Sequence, residues 1–223
     1  MRRRPTWPRS SRPIRKAGEP LPPLDPSVLE RIGLLCEGGR DLWDTFDADV
    51  RQDEWHPFVP ADYDVVRDTL LLLRRPGTRF LEWGSATGII TIMADLMGFD
   101  ASGIELDESL VRVARELAEQ SGSGARFVSA SFLPMGWAWT PPDGDGRTGT
   151  VGHGTSGYLE LGHALEEYDV VYGYPWMGEE QMMHDLMQAH GRRDALLLIH
   201  TVENGVKIYR DGSLVPASDF VEA

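Results

Sequence analysis

The 223-residue chain is predicted to be an α/β protein with a doubly wound, mostly parallel sheet covered by helices on both faces. Three observations predict this. Short apolar runs alternate with helix-period segments through residues 79–200. Those runs are apolar almost throughout, as in strands buried on both faces. A glycine-rich turn joins the first of them to a helix, a junction where unpaired backbone N–H groups meet ligands.

Residues 1–26 come first. They are rich in proline and arginine, bury little apolar surface and are expected to be a disordered tail. A helical extension follows over 27–54. Ser27 is the expected N-cap of a helix through Val28, Leu29, Ile32 and Leu35, and a second helix is expected from Arg40 to about Val50. Residues 55–223 carry the main domain. Its prolines at 57 and 60 keep the entry extended. Asp62 is placed to cap a helix bearing Val65, Val66, Leu70, Leu71 and Leu73, which ends at Arg75-Pro76-Gly77.

The alternation then begins. Strands are expected over 79–83, 101–106, 125–129, 168–172 and 195–200. Helices are expected over 87–97, 108–119 and 179–190, each with its apolar residues on one face. Residues 136–157 hold seven glycines and two prolines and read as a flexible insertion, the kind of loop that contacts substrates. After the fifth strand, 206–209 and 214–215 flank Asp211-Gly212. That dipeptide predicts a hairpin with a type I′ turn, so the C-terminal strands are abbreviated.

Charge narrows the function. The formal net charge is −13. Seven of the 22 basic residues lie in 1–16, which leaves 15 basic against 35 acidic residues in the remainder, a net −20. A body this acidic repels phosphate backbones, so nucleic acid is an unlikely partner, and a protein or small-molecule partner is expected. A single cysteine, Cys36, excludes an internal disulfide and an all-cysteine zinc site. No apolar run reaches the roughly 20 residues that span a bilayer. No apolar stretch follows the basic N-terminus, and Pro5, Pro8 and Pro13 oppose a targeting helix. A cytoplasmic protein is the expectation.

The segment richest in chemistry is Phe80-Leu81-Glu82-Trp83-Gly84-Ser85-Ala86-Thr87-Gly88. Small residues at 84, 86 and 88 let the backbone approach a ligand closely. Glu105 follows 23 positions after Glu82, at the end of the second strand, where a carboxylate is placed to accept hydrogen bonds from two ribose hydroxyls. A dinucleotide fingerprint would want glycine at 86 and 89, which are Ala and Ile, so a nucleotide-cofactor oxidoreductase is disfavoured.

The spacing acid-x-Gly-x-small-x-Gly resembles the first motif of the class I, Rossmann-like, seven-strand S-adenosylmethionine-dependent methyltransferases. The resemblance covers roughly residues 56–200 and implies a three-layer fold and S-adenosylmethionine as cofactor. It implies that Glu82, Gly84, Ser85, Ala86 and Gly88 hold the methionine part and Glu105 the ribose, while Ile104, Leu106 and Phe132 flank the adenine. Ser131 stands where the superfamily often has an acid for the adenine amino group, and Ala86 replaces the middle glycine. Pro57-Phe58-Val59-Pro60 and Tyr168–Tyr172 further resemble small protein-lysine methyltransferases related to the enzymes that modify the ATP synthase c subunit.

Methyl transfer is an in-line displacement, so the protein mainly positions and desolvates the acceptor. An amine acceptor must be neutral and needs somewhere for its proton to go. The run after the fourth strand, Tyr172-Gly173-Tyr174-Pro175-Trp176, resembles the end of the Asp/Asn-Pro-Pro-aromatic motif of amino-group methyltransferases, with glycine at the polar position. Tyr172, Tyr174 and Trp176 are the candidate catalytic residues. Glu179 is expected to suit the dipole of the following helix, and His200 to end the fifth strand near the active edge. No histidine pair has metal-ligand spacing, so no metal is assigned. The leading expectation is a methyltransferase acting on a nitrogen or oxygen of a protein side chain or small molecule. The alternative is a catalytically silent cofactor- or partner-binding module.

Overall fold

The computed structural model describes residues 22–50, 59–137, 139, 154–176 and 178–220. Residues 1–21 of the tail expected over 1–26, most of the glycine-rich insertion, and His56, Pro57 and Phe58 lie outside them. Seven strands form one mixed sheet in the order β3-β2-β1-β4-β5-β6-β7. They are β1 (Arg79–Trp83), β2 (Asp100–Glu105), β3 (Arg126–Ser129), β4 (Val170–Gly173), β5 (Leu196–Thr201), β6 (Gly205–Arg210) and β7 (Ser213–Val215). The first five are parallel. The last two are antiparallel, because three-residue and two-residue connections can only reverse the chain. The chain order reverses direction between β1 and β4, the kind of switch point where ligands bind in open α/β sheets.

The strand pleat sorts the core into two layers. Phe80, Ala101, Phe127, Val170, Tyr172, Leu196 and Leu198 face one side. There they pack under α1 (Pro26–Val50), α2 (Tyr63–Leu73), α3 (Ile89–Leu96) and α4 (Glu108–Gln120). Leu81, Trp83, Ile104, Val128, Val171, Leu197 and Ile199 face the other. α5 (Gly157–Leu161) and α6 (Glu180–His190) cover that face. Burial on both faces accounts for the near-continuous apolar runs in the sequence.

Several local expectations hold. Asp62 caps α2 by accepting from the Asp64 and Val65 N–H groups. Asp211 and Gly212 both have positive φ, 48° and 74°, the signature of a type I′ turn.

Two expectations at the N-terminus fail. Residues 26–50 form one continuous helix, not two. Gly38 and Gly39 lie between the two expected segments, and at Gly39 α1 packs tightly on Ile89 of α3. A Cβ there would lie 2.8 Å from Ile89 and 3.2 Å from Tyr63. Docking of Ile32, Leu35 and Cys36 into the core outweighs a glycine penalty of about 1 kcal/mol per residue. The cap is Asp25, not Ser27. Its carboxylate accepts from the Ser27 N–H and hydroxyl, and its carbonyl accepts from Val28. Pro26 then takes the first helical position, where no N–H is needed.

Candidate active site

Where β1 meets α3, the chain must turn sharply at the sheet edge. Gly84, Ala86 and Gly88 adopt φ of 69°, 44° and 78°. The Gly84 and Ser85 N–H groups donate to the Ile104 carbonyl at 2.9 and 3.1 Å, which ties the turn to β2. Gly88 has no side chain to cap α3, and Glu82 from β1 supplies the missing oxygen. Its Oε2 accepts from the Thr91 N–H at 2.9 Å and from the Thr91 hydroxyl. Burial pushes the Glu82 carboxyl up to about 8, against the two Thr91 bonds that pull it down.

Glu105 stands opposite, at the end of β2. Its Oε2 accepts from the Ala86 N–H at 2.9 Å, and its Oε1 from Leu106 and Asp107 at 2.7 and 3.0 Å. Burial raises its pKa while the three N–H donors lower it, with a net rise. One carboxylate thereby holds two ligand-facing loops together. Of its four lone-pair sites, three are engaged and one remains.

Between these elements, at the C-terminal ends of β1, β2, β4 and β5, lies a cavity of about 530 Å³. It is of the size that takes a cofactor or drug-sized ligand. Glu82, Gly84, Ser85, Ala86, Glu105, Leu106 and Phe132 line it, as do Tyr172, Tyr174 and Trp176. Gly88 and Ser131 do not. At Gly88 a Cβ would lie 2.6 Å from the Phe127 ring and 2.8 Å from Ala114. The glycine therefore lets α3 pack against β3 and α4. Ser131 turns to its own loop, where its hydroxyl accepts from the Leu133 N–H and its backbone bridges to Ser156.

The floor is aromatic. The Trp83 ring stacks on Phe132 with centroids 5.4 Å apart, and its N–H donates to the Tyr158 hydroxyl at 2.8 Å. The far end is built from segments distant in sequence: Val59–Ala61 and Tyr63, Tyr174–Trp176 with Glu179 and Met183, and His200–Val202. Glu179 is not a simple dipole partner there. It occupies the N-cap position of α6, and its carboxylate accepts from the Trp176 N–H at 2.9 Å, fixing the turn after β4. Gly173 stands at the polar position of the expected motif, and a Cβ there would lie 2.6 Å from the Met183 sulfur, so a side chain would have to push the end of Met183 aside. His200 is buried beside Tyr172 and Tyr174.

A solved structure from Salinibacter ruber, an RNA methyltransferase in complex with S-adenosyl-L-homocysteine, has the same architecture. It superposes with a TM-score of 0.50 at 19% identity, over 71% of this chain and 97% of that one. The fold is that of the class I S-adenosylmethionine-dependent methyltransferases. Part of the chain is also distantly homologous to ribosomal protein L11 methyltransferases. It is 39% identical over 61 residues to that of Neisseria gonorrhoeae, covering 27% of this chain and 21% of that protein. It is 32% identical over 65 residues to that of Thermus thermophilus, covering 28% and 26%. The chain thus matches about a quarter or less of the length of these curated relatives. No family model matches it.

The cofactor of this methyltransferase fold fits the residues present. The Ser85 hydroxyl is buried with no hydrogen-bond partner among the described residues, and Gly103 makes room for it, since a Cβ there would lie 2.7 Å from its oxygen. Glu105 retains an open lone pair at the rim, and an aromatic and aliphatic slot lies beside it. No group of three or more His, Cys, Asp or Glu side chains among the described residues is placed to hold a metal. None of the described helices is long and apolar enough to cross a membrane.

Sequence reasoning missed Trp83, Tyr63, Ala130 and Met183 as cavity walls. Tyr63 and Met183 reach the site only through the packing of α2 and α6. Trp83 was within reach, because it directly precedes the glycine turn and its pleat partner Leu81 already faces the core.

Proposed function

We propose that this chain is an S-adenosylmethionine-dependent methyltransferase that modifies a nitrogen, or less readily an oxygen, on a protein side chain or small molecule. The observation that carries this reading is the Gly84–Ala86 turn beside the Glu105 carboxylate at one end of a single cavity, with aromatic side chains at its far end. In the proposed complex Glu105 holds the ribose, and the backbone of Gly84–Ala86 with the Ser85 hydroxyl holds the methionine part. Ile104, Leu106 and Phe132 flank the adenine. When bound, S-adenosylmethionine supplies a methyl group on a sulfonium, already a good leaving group.

The chain's own task is then placement. Tyr174, Trp176 and Met183 form apolar walls that strip water from an entering acceptor. Tyr172 is held as a neutral phenol, because burial and the nearby Glu82, Tyr174 and Tyr63 raise its pKa well above the ordinary value. The acidic body favours an acceptor with cationic surroundings. Similarity of a short segment to the L11 methyltransferases supports a protein acceptor, a ribosomal protein among the candidates.

The test is transfer of tritiated methyl from S-adenosylmethionine to pooled ribosomal proteins, basic peptides and small amines, with Glu105→Ala beside the native chain. Label incorporated by the native chain and lost in the variant supports the reading. Tight cofactor binding with no transfer to any pool would turn it into a silent cofactor-binding protein.

A further inference from the structure

The register places Glu82, Tyr172 and Leu198 side by side on β1, β4 and β5. His200 lies two residues past Leu198, so it stands on the same face and reaches the cavity wall. The residue is 3% exposed. Two contacts fix it. The Tyr172 hydroxyl is 2.9 Å from Nδ1, and the Tyr174 ring lies nearly parallel to the imidazole, with centroids 4.6 Å apart and planes 19° off.

The sense of the Tyr172–His200 bond follows from the groups. A phenol O–H is a stronger donor than an imidazole N–H, and an imidazole nitrogen is a stronger acceptor than a phenol oxygen. Tyr172 is 1% exposed, and His200 is the one hydrogen-bond partner of its hydroxyl among the described residues. The phenol hydrogen therefore goes to Nδ1, and the imidazole proton sits on Nε2. No hydrogen bond of Nε2 occurs among the described residues, and His200 lines the cavity, so the cavity is the outlet of this N–H. Burial keeps the ring neutral. Asp62, ahead of α2, is the charged group that pulls the other way, and it does not prevail.

We propose that His200 determines acceptor specificity: locked by Tyr172 and Tyr174, it presents an Nε2–H donor that grips an acyl oxygen next to the methylated atom. This rests on the methyltransferase reading. A ring that already carries its proton on Nε2 cannot take one from an ammonium, so His200 positions the acceptor and is not its base. The substrate class it selects carries a carbonyl, carboxamide or carboxylate oxygen near the nucleophile. A simple alkylamine offers nothing to this donor.

The experiment uses the full chain with ¹⁵N-labelled histidine and long-range ¹H–¹⁵N spectra. His200→Gln identifies the signal among the six histidines, with His200→Asn as a second assignment variant if the first does not fold. The native His200 is expected to be the Nε2–H tautomer and to titrate below a free histidine. Tyr172→Phe should release that lock. Acetamide, acetate and propylammonium are then titrated into protein saturated with S-adenosyl-L-homocysteine. Acetamide, as a peptide-like carbonyl, or acetate, as a free carboxylate, should shift the Nε2–H signal, and the stronger of the two names the source. Loss of one hydrogen bond in His200→Leu should weaken that binding about fivefold, while Gln, which keeps an N–H donor, restores it. An Nδ1–H tautomer, an ordinary titration, or a response to propylammonium alone would overturn the proposal. If S-adenosyl-L-homocysteine fails to bind, the methyltransferase reading fails, and the tautomer result on the free protein still stands or falls separately.

Discussion

The two ends of the cavity are built on opposite plans. The cofactor end is made of backbone: three positive-φ residues within five positions, and a carboxylate that accepts from three N–H groups. The acceptor end is made of side chains delivered by α2, the turn after β4, α6 and the end of β5. Backbone sites recognise what is common to a cofactor and tolerate little change. Side-chain sites can be rebuilt one residue at a time without disturbing the sheet. On the proposed function, reaction type and acceptor choice are separable in this molecule.

The largest expected effect is at the cofactor end. Glu105→Ala removes the ribose acceptor and orphans the Ala86, Leu106 and Asp107 N–H groups. Charge-assisted bonds of about 1.5–3 kcal/mol each make the expected loss of S-adenosylmethionine affinity about a hundredfold, read by calorimetric titration. A variant that bound normally would place the cofactor elsewhere.

Gly88→Ala should act on folding. A side chain at φ 78° driven into Phe127 and Ala114 is expected to lower stability by about 2–3 kcal/mol, read from the urea midpoint. Unchanged stability would show that the turn is softer than its packing implies.

Glu82 links the turn to pH. Its carboxyl is raised from an ordinary 4.5 to about 8 in the folded protein. Between those values the folded state holds a proton that the unfolded state has released. Its contribution to stability is complete below pH 4.5 and is lost as the pH rises through 8. From pH 6.5 to 8 the loss should be about 2 kcal/mol for one proton. Glu82→Gln, which stays neutral, should flatten that part of the urea-midpoint profile, and an unchanged slope would assign the dependence to another group.

The smallest effect is at Ala86. A non-glycine residue at φ 44° is strained by about 1 kcal/mol, and glycine's freedom in the unfolded chain offsets part of the gain. Ala86→Gly should raise the melting temperature by roughly 1–3 °C while leaving the N–H bond to Glu105 intact.

The same contrast explains what could be read from the sequence. Glu82, Gly84, Ala86 and Glu105 were legible because turn chemistry and strand-end position are local properties. The five parallel strands were legible from apolar runs, and the type I′ turn from Asp211-Gly212. The acceptor end was only half legible. Tyr172, Tyr174 and Trp176 sit beside a strand end, and their position shows. Tyr63, Met183 and the pairing of His200 with Tyr172 depend on how helices and neighbouring strands pack, which no short window carries. Gly88 looked like a ligand contact because a glycine needed for packing and one needed for a ligand read alike. The single helix over 26–50 was not legible, because the close approach of Gly39 to Ile89 is a tertiary fact.

The most direct test of the central claim is calorimetric titration of the full chain with S-adenosylmethionine and S-adenosyl-L-homocysteine. Saturable binding of both at one site, in the micromolar range or tighter, is the predicted result. Absence of binding at protein concentrations well above that range would contradict it, and would leave a methyltransferase fold that has given up its cofactor.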